Sequence, residues 1–444
     1  MAKLPAEVTV DVSALDEAML GIANLDGRAL RVRNALPGET VQTRVLRRKK
    51  GIVYGDGVLV EHPHESRRAS ICPYFPRCGG CSMHHMDYPM QLELKQRQLA
   101  QALDSNAVVP RGWSAPQKAG RLGYRRKARL GVRMVGEQVL VGFRESFSNR
   151  VARMDSCATL TPELSALLPD LKRLLPQLSI ADQVPQIEVA QGDTQCALIV
   201  RHLQPMTESD VELWREFAQT HAVEIIFQAK GYDTLVPLSG GPLKRLGYRL
   251  ADHGLYIEFL PHQFTQVNLA MNETLIRYVL AYLGNLQGKN VLDLFCGIGN
   301  FTLPIARAGA RAWGMESAPE AVAMACVNAL NNGVADQLQF SVADLFSSES
   351  AVDVAAILAQ CDALVLDPPR SGAGPGLHDW LTHFAGNTIV YVSCNPNSFA
   401  SDAAIIVAAG FELAQVGIFD MFPSTAHVET MGQFVRRSRE TTVG

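Results

Sequence analysis

Residues 291–303 read VLDLFCGIGNFTL, an apolar strand that runs into Gly297-Ile298-Gly299 and then into a helix. The glycines let the backbone come close to a ligand, and the helix start offers free N–H groups. Outward from this stretch the chain keeps one rhythm. NVLDLFCG, FTLPIARAG, ARAWGMES, PEAVAMACVNALNNG, LQFSVADL, DALVLDPPR, NTIVYVSC, DAAIIVAAG, FELAQVGIFD and GQFVRR follow one another from about Asn285, strands alternating with helices. This alternation predicts a parallel, doubly wound, Rossmann-like α/β sheet, in which ligands bind at the C-terminal edges of the strands.

Several of those strand ends carry polar residues. The loop after the first strand lacks the third glycine of the dinucleotide fingerprint, which disfavours a pyrophosphate ligand. Glu316, nineteen residues after Gly297, ends the second strand and is placed to accept hydrogen bonds from two ribose hydroxyls. Asp344 ends the next, where an adenine amino group would lie. Together they predict an adenosyl ligand. Asp367-Pro368-Pro369-Arg370 ends the fourth strand, and YVSCNP, residues 391–396, ends the fifth with Asn395-Pro396 as its stop signal. A thiol at that edge, Cys394, is either a nucleophile or the small buried hydrophobe that most free cysteines are.

The whole chain sets outer limits. Its 444 residues exceed one core and predict two or three domains, and 47% apolar with 19% charged residues is an ordinary globular composition. No apolar run approaches bilayer-spanning length and Met1 to Thr9 has no signal-peptide core, so a cytoplasmic location without a membrane partner is expected. In that reducing setting the nine cysteines point to metal or catalysis before disulfides. The net charge of -3 hides an asymmetry. Residues 1–155 hold 25 Lys and Arg against 15 Asp and Glu, net +10, leaving 16 against 29, net -13, for the rest. A basic front on an acidic body predicts a polyanion partner.

Residues 5–62 alternate with period two between regularly spaced turns, which predicts a small β-barrel. Its hairpin tip RRKKG, residues 47–51, suits nucleic acid or merely solubility. Next, CPYFPRCGGC sets Cys72, Cys78 and Cys81 in C-x5-C-x2-C spacing, before a helix from about Tyr88 to Leu103. Three thiols in a turn-rich loop bind either zinc, with a fourth ligand, or an iron–sulfur cluster, and spacing alone does not separate the two. The spacing of radical S-adenosylmethionine enzymes is absent. In RLGYRRKARLGVRMVG, Arg125, Lys127 and Arg129 fall on one strand face and are candidates for phosphate contact. Residues 185–260 read as further β structure with one helix near TESDVELWREFAQTH.

The fourth and fifth strand ends bear on the reaction. Amino-methylating enzymes carry an (Asn/Asp)-Pro-Pro-aromatic motif at the fourth edge. Here Arg370 stands in the aromatic's place and a cysteine ends the next strand, which moves the chemistry from nitrogen to carbon. C5 of a uracil ring is a poor nucleophile. Thiolate addition to C6 turns C5 into an enolate carbon that accepts a methyl group, after which a base must remove the C5 proton so that the thiol can leave. One cysteine and one base are needed at the same edge: Cys394, and Glu429 in STAHVETMGQF, just before a final strand expected beside that of Cys394.

Taken in order, FTQVN, DLFCGIGNFTL, DPPR, VSCNP and HVET resemble the RNA uracil-C5 methyltransferases, which use S-adenosyl-L-methionine. The resemblance implies that Gln266, Phe295, Asn300, Glu316, Asp344 and Asp367 line the S-adenosyl-L-methionine site. It implies that Cys394 is the nucleophile and Glu429 the base, with Pro423 and His427 shaping the base's loop. By the same resemblance Cys72, Cys78, Cys81 and a later Cys157, in DSCATL, bind a [4Fe-4S] cluster, and the front barrel is an OB-like TRAM domain. A chain with both looks like the 23S rRNA branch, which makes 5-methyluridine at one uridine flipped into the pocket. The implied domains are 1–65, a TRAM-type RNA-binding barrel; 66–260, a central β-rich domain with the iron–sulfur loop; and 261–444, the methyltransferase domain, on which the helix about 88–103 packs. No protein partner is expected, and the chain is read as a monomer. Rival readings are a tRNA uridine-C5 methyltransferase, an amino-group methyltransferase for which Cys394 is dispensable, and a non-catalytic RNA-binding protein. Cys196, Cys296, Cys326 and Cys361 read as core.

Overall fold

A computed structural model describes residues 5–347 and 351–437, so the first four and the last seven residues of the expected terminal domains lie outside the described residues. In the C-terminal half, seven strands form one sheet. They are β1 (Asn290–Leu294), β2 (Arg311–Glu316), β3 (Leu338–Val342), β4 (Ala363–Leu366), β5 (Thr388–Ser393), β6 (Phe411–Phe419) and β7 (Glu429–Arg436), side by side in the order β3-β2-β1-β4-β5-β7-β6. The first five run parallel. β7 runs antiparallel between β5 and β6, so the wholly parallel sheet expected from the rhythm is a mixed one.

Successive strand residues point to opposite faces, and two cores divide them accordingly. Val291, Val365, Val390 and Val392 join one core with the helix Leu269–Leu283. Leu292, Leu294, Leu364, Leu366, Ile389 and Tyr391 join the other with the helix Pro396–Ala408. Leu99 and Leu103 of the helix Tyr88–Ser105 enter that second core, so this helix, from the first quarter of the chain, packs on the C-terminal sheet layer. Phe399 is fully buried there, its ring centroid 5.5 Å from Tyr391 and 6.2 Å from Phe434. Phe399→Ala is expected to cost about 3–5 kcal/mol through lost transfer energy and the cavity left behind, read as a shift in denaturant unfolding. Cys326, expected in the core, is exposed on the helix Pro319–Asn331.

The front of the chain forms its own six-stranded sheet, Glu7–Asp11, Ala14–Leu15, Gly21–Leu25, Arg28–Arg33, Thr40–Lys49 and Ile52–Glu61. The sheet curls: just past the first strand, Ser13 N–H donates to the Ile22 carbonyl of the third at 2.9 Å. Its two long strands meet at Lys50 (φ 49°) and Gly51 (φ 83°), the two-residue turn whose twist suits a hairpin. A second six-stranded sheet follows, covering Lys127–Val135, Gln138–Gly142, Gln186–Gln191, Cys196–Arg201, Val223–Gln228 and Leu235–Pro237, with the helix Glu208–His221 among them. The phosphate-holding face expected here does not form. Arg125 lies ahead of the strand, the Lys127 ammonium donates to the Gln263 carbonyl, and Arg129 pairs with Glu188 at 3.0 Å. Among the described residues, no helix is long and apolar enough to cross a membrane.

Candidate active site at the sheet edge

Strand order reverses between β1 and β4, and such a switch point opens a crevice at the C-terminal ends of the strands. The loop leaving β1 turns through Phe295 (φ 66°), Gly297 (φ 55°) and Gly299 (φ 92°). A non-glycine residue there costs on the order of 1–2 kcal/mol. The Phe295 ring sits 6.0 Å from Phe346 and 6.3 Å from Trp380. A side chain at Gly297 would meet nothing within 4 Å, so the loop faces open space.

Glu316, at the end of β2, reaches across this loop. Its Oε2 accepts from Gly297 N–H at 3.3 Å, and its Oε1 accepts from Ser317 N–H (2.7 Å), Ser317 Oγ (2.9 Å) and Ala318 N–H (3.1 Å). Asn300 and the fully buried Asn272 exchange amide hydrogen bonds of 2.9 and 2.8 Å, and the Tyr248 hydroxyl donates to Asn300 Oδ1 at 3.4 Å. Asp344 lies just past β3, where its Oδ1 accepts from Phe346 N–H at 3.0 Å. Gln266, half-buried ahead of the helix Leu269–Leu283, makes no hydrogen bond to the other candidates among the described residues.

Two carboxyls stand near the C-terminal ends of β1 and β4. Asp367 follows β4, and burial, then the Asp293 carboxylate, push it up to about 7. Asp293, fully buried on β1, is likewise pushed up to about 7 by burial and Glu316, against the Thr302 hydroxyl that donates to it at 2.5 Å. Its Oδ1 has no hydrogen-bond partner among the described residues. The sequence reading missed Asp293, Asn272 and Tyr248. The acid inside the apolar run VLDLF was the one local sign of the first.

Cys394 sits half-buried one residue past β5. The antiparallel register pairs Ser393 with Thr430, so the next rung sets Cys394 opposite Glu429, the first residue of β7. Glu429 is 3% exposed, and burial, then Asp367, lift its carboxyl well above the usual range. Burial, followed by the Glu429 and Asp367 carboxylates, pushes the Cys394 thiol up to about 11, opposed by the Arg370 guanidinium. The Asn395 amide donates to the Arg370 carbonyl at 3.0 Å and ties the two strand-end loops together. A groove lined in part by Arg33, Phe75, Cys81, Phe147, Arg370 and His427 leads from the front sheet to this edge.

Cys72, Cys78, Cys81 and Cys157 line one small pocket with His84 and Phe143. Burial, with the neighbouring sulfurs adding to it, pushes Cys78 up to about 11 and Cys81 up to about 12. Among the described residues no group of three or more His, Cys, Asp or Glu is arranged to hold a single metal ion.

Residues 87–438 match the family model of the tRNA (uracil-5-)-methyltransferases. The chain is 41% identical over 443 residues to the 23S rRNA (uracil(1939)-C(5))-methyltransferase RlmD of Hahella chejuensis, covering 97% of this chain and 98% of that one. It is also 41% identical over 433 residues to the RlmD of Azoarcus sp., covering 96% and 99%. Among solved structures, the Pyrococcus abyssi tRNA (uracil-54, C5)-methyltransferase in complex with S-adenosyl-L-homocysteine shares the fold, with a TM-score of 0.71 at 22% identity over 96% of this chain and 100% of that one.

Proposed function

The chain belongs to the tRNA (uracil-5-)-methyltransferase family, and from that premise we propose that it methylates C5 of one uridine in 23S rRNA, giving 5-methyluridine, with S-adenosyl-L-methionine as methyl donor. The observation that carries this reading is the β5–β7 register, which sets a thiol and a carboxyl side by side at the cofactor edge. Cys394 adds to uracil C6, forming an S–C6 bond and moving the C5–C6 π electrons into an enolate. The bound S-adenosyl-L-methionine supplies the electrophilic methyl that C5 then accepts. Glu429 removes the C5 proton, the double bond re-forms and the C6–S bond breaks, returning the thiolate.

The residues fit such a donor. Glu316, Asp344, Asn300, Phe295 and Gln266 would hold its adenosyl and amino-acid parts, and Gly297 leaves room for it. Asp293 and Asp367, both crowded and short of positive partners, suit a ligand that carries an ammonium and a sulfonium. Without ligand each titrates near 7, so below that pH each must lose a proton before it can favour a cation. Affinity for S-adenosyl-L-methionine is therefore expected to rise from pH 6 to pH 8 by about tenfold for each group that ionises on binding. Calorimetric titration across that range checks this, with Asp367→Asn flattening the dependence.

The 23S rRNA assignment is supported by 41% identity to two RlmD enzymes over nearly the whole chain. The barrel ahead of the catalytic half, from which the 23S rRNA branch was expected, does not by its fold separate the two substrates, because the Pyrococcus abyssi tRNA enzyme shares the fold over 96% of this chain. We read residues 1–65 as a TRAM-type RNA-binding barrel, 66–260 as the central domain and 261–444 as the methyltransferase domain, in a cytoplasmic monomer. The four cysteines sharing one pocket match by donor type a [4Fe-4S] cluster, which four thiolates would hold. Anaerobically purified protein should then be brown and contain iron and sulfide; a colourless protein without them removes the cluster. The function itself is tested by methyl transfer from labelled S-adenosyl-L-methionine to unmodified 23S rRNA and to tRNA, followed by nucleoside analysis. 5-Methyluridine in 23S rRNA alone is expected, and label confined to tRNA overturns the substrate.

A further inference from the structure

The loop 420–428 joins β6 to β7 and delivers Glu429, and it is held from outside the sheet. Lys95, on the helix Tyr88–Ser105, is 1% exposed; its Nζ donates to Asp420 Oδ1 at 2.5 Å and to the Phe422 carbonyl at 3.0 Å. The Tyr88 hydroxyl, two turns earlier on the same helical face, donates to Asp420 Oδ2 at 2.8 Å. Between them Gln91 accepts from Ser424 N–H at 3.1 Å and donates to the Met83 and Met86 carbonyls, each at 3.0 Å. The cysteine-bearing segment adds Ser82 N–H and Met83 N–H, both bonded to the Ser424 carbonyl, at 2.9 and 3.0 Å. Asp420 directly follows Phe419, whose register partner is Glu429. The anchor thus grips the loop where it leaves the rung that carries the base.

An apolar pair would fasten helix to loop at least as well, since a buried ion pair must repay two desolvation costs. What an ammonium held by one carboxylate and one carbonyl adds is direction, a fixed distance rather than a greasy contact. We propose that Lys95, with Tyr88 and Asp420, is a positioning residue that sets the approach of Glu429 to the C5 proton; this rests on the reading of Glu429 as the base. Glu429 acts only after the methyl group has been transferred. A base held out of place therefore slows breakdown of the methylated Cys394–RNA adduct and leaves its formation alone.

The test is methylation of 23S rRNA with methyl-labelled S-adenosyl-L-methionine by wild type, Lys95→Met and Tyr88→Phe. Released product is measured alongside label retained on protein–RNA adduct that survives denaturation. Turnover is expected to fall about tenfold in Tyr88→Phe and about a hundredfold in Lys95→Met, the scale of a sub-ångström to ångström misplacement, with kcat/KM for RNA unchanged, KM falling along with turnover, and labelled adduct rising. Turnover and adduct falling together, or turnover unchanged, overturns the positioning role. If Lys95→Met fails to fold by its thermal melt, Tyr88→Phe, which removes one hydroxyl, decides alone. A wild type that makes no 5-methyluridine strikes instead at the function on which the proposal rests.

Discussion

Replacing Cys394 with alanine is expected to lower 5-methyluridine formation by roughly 10^4-fold or more, the cost of removing a covalent nucleophile, while RNA and S-adenosyl-L-methionine still bind. Without S–C6 addition the uracil never gains a nucleophilic carbon at C5. Serine should not rescue the reaction. In the free protein burial and two carboxylates already hold the Cys394 thiol at about 11, and a hydroxyl in the same place is further from ionising. Of the charges around the thiol, the Arg370 guanidinium favours the thiolate. Activity that survives in Cys394→Ala would assign the protein to amino-group methylation and return Cys394 to the core.

Glu429→Gln keeps the shape and removes the proposed base. Product release is expected to fall by about 10^2- to 10^4-fold, the usual contribution of a positioned general base, with methylated adduct accumulating on Cys394. Denaturing gels that follow the labelled methyl group on protein separate this outcome from a simple loss of addition, in which no label is retained. Burial and Asp367 lift the Glu429 carboxyl well above the ordinary range, so its ionised form is a stronger base than a surface carboxylate. A variant that releases product at the wild-type rate would exclude Glu429 from proton removal.

How far the sequence could be read depended on whether a residue's partners were local. Buried parallel strands such as NVLDL, ALVL and TIVYVS are near-continuous apolar runs, so the sheet, its helices and the residues at its edge were legible. The antiparallel sense of β7 was not, because GQFVRR is too short for its pattern to separate the two directions. Lys95, inside YPMQLELKQRQLA, looks like any solvated helix charge; its carboxylate lies 325 residues away. The same blindness produced the phosphate-binding face around Lys127 and Arg129, whose actual partners, Gln263 and Glu188, come from other segments. Asn300 was found as a motif residue, whereas Asn272, which fixes its amide, belongs to a helix with no motif at all.

The placement of β7 has a consequence for the order in which the protein comes into being. Among the described residues β6 reaches the sheet only through β7, and the proposed base is the first residue of that strand. Domains generally fold as units, so a nascent chain that already carries the loop after β1 and Cys394 still lacks the proposed base and the strand that joins β6 to the sheet. Under the proposed function, a chain that stops upstream of residue 429 loses in one stroke the base, β7 and the attachment of β6 to the sheet.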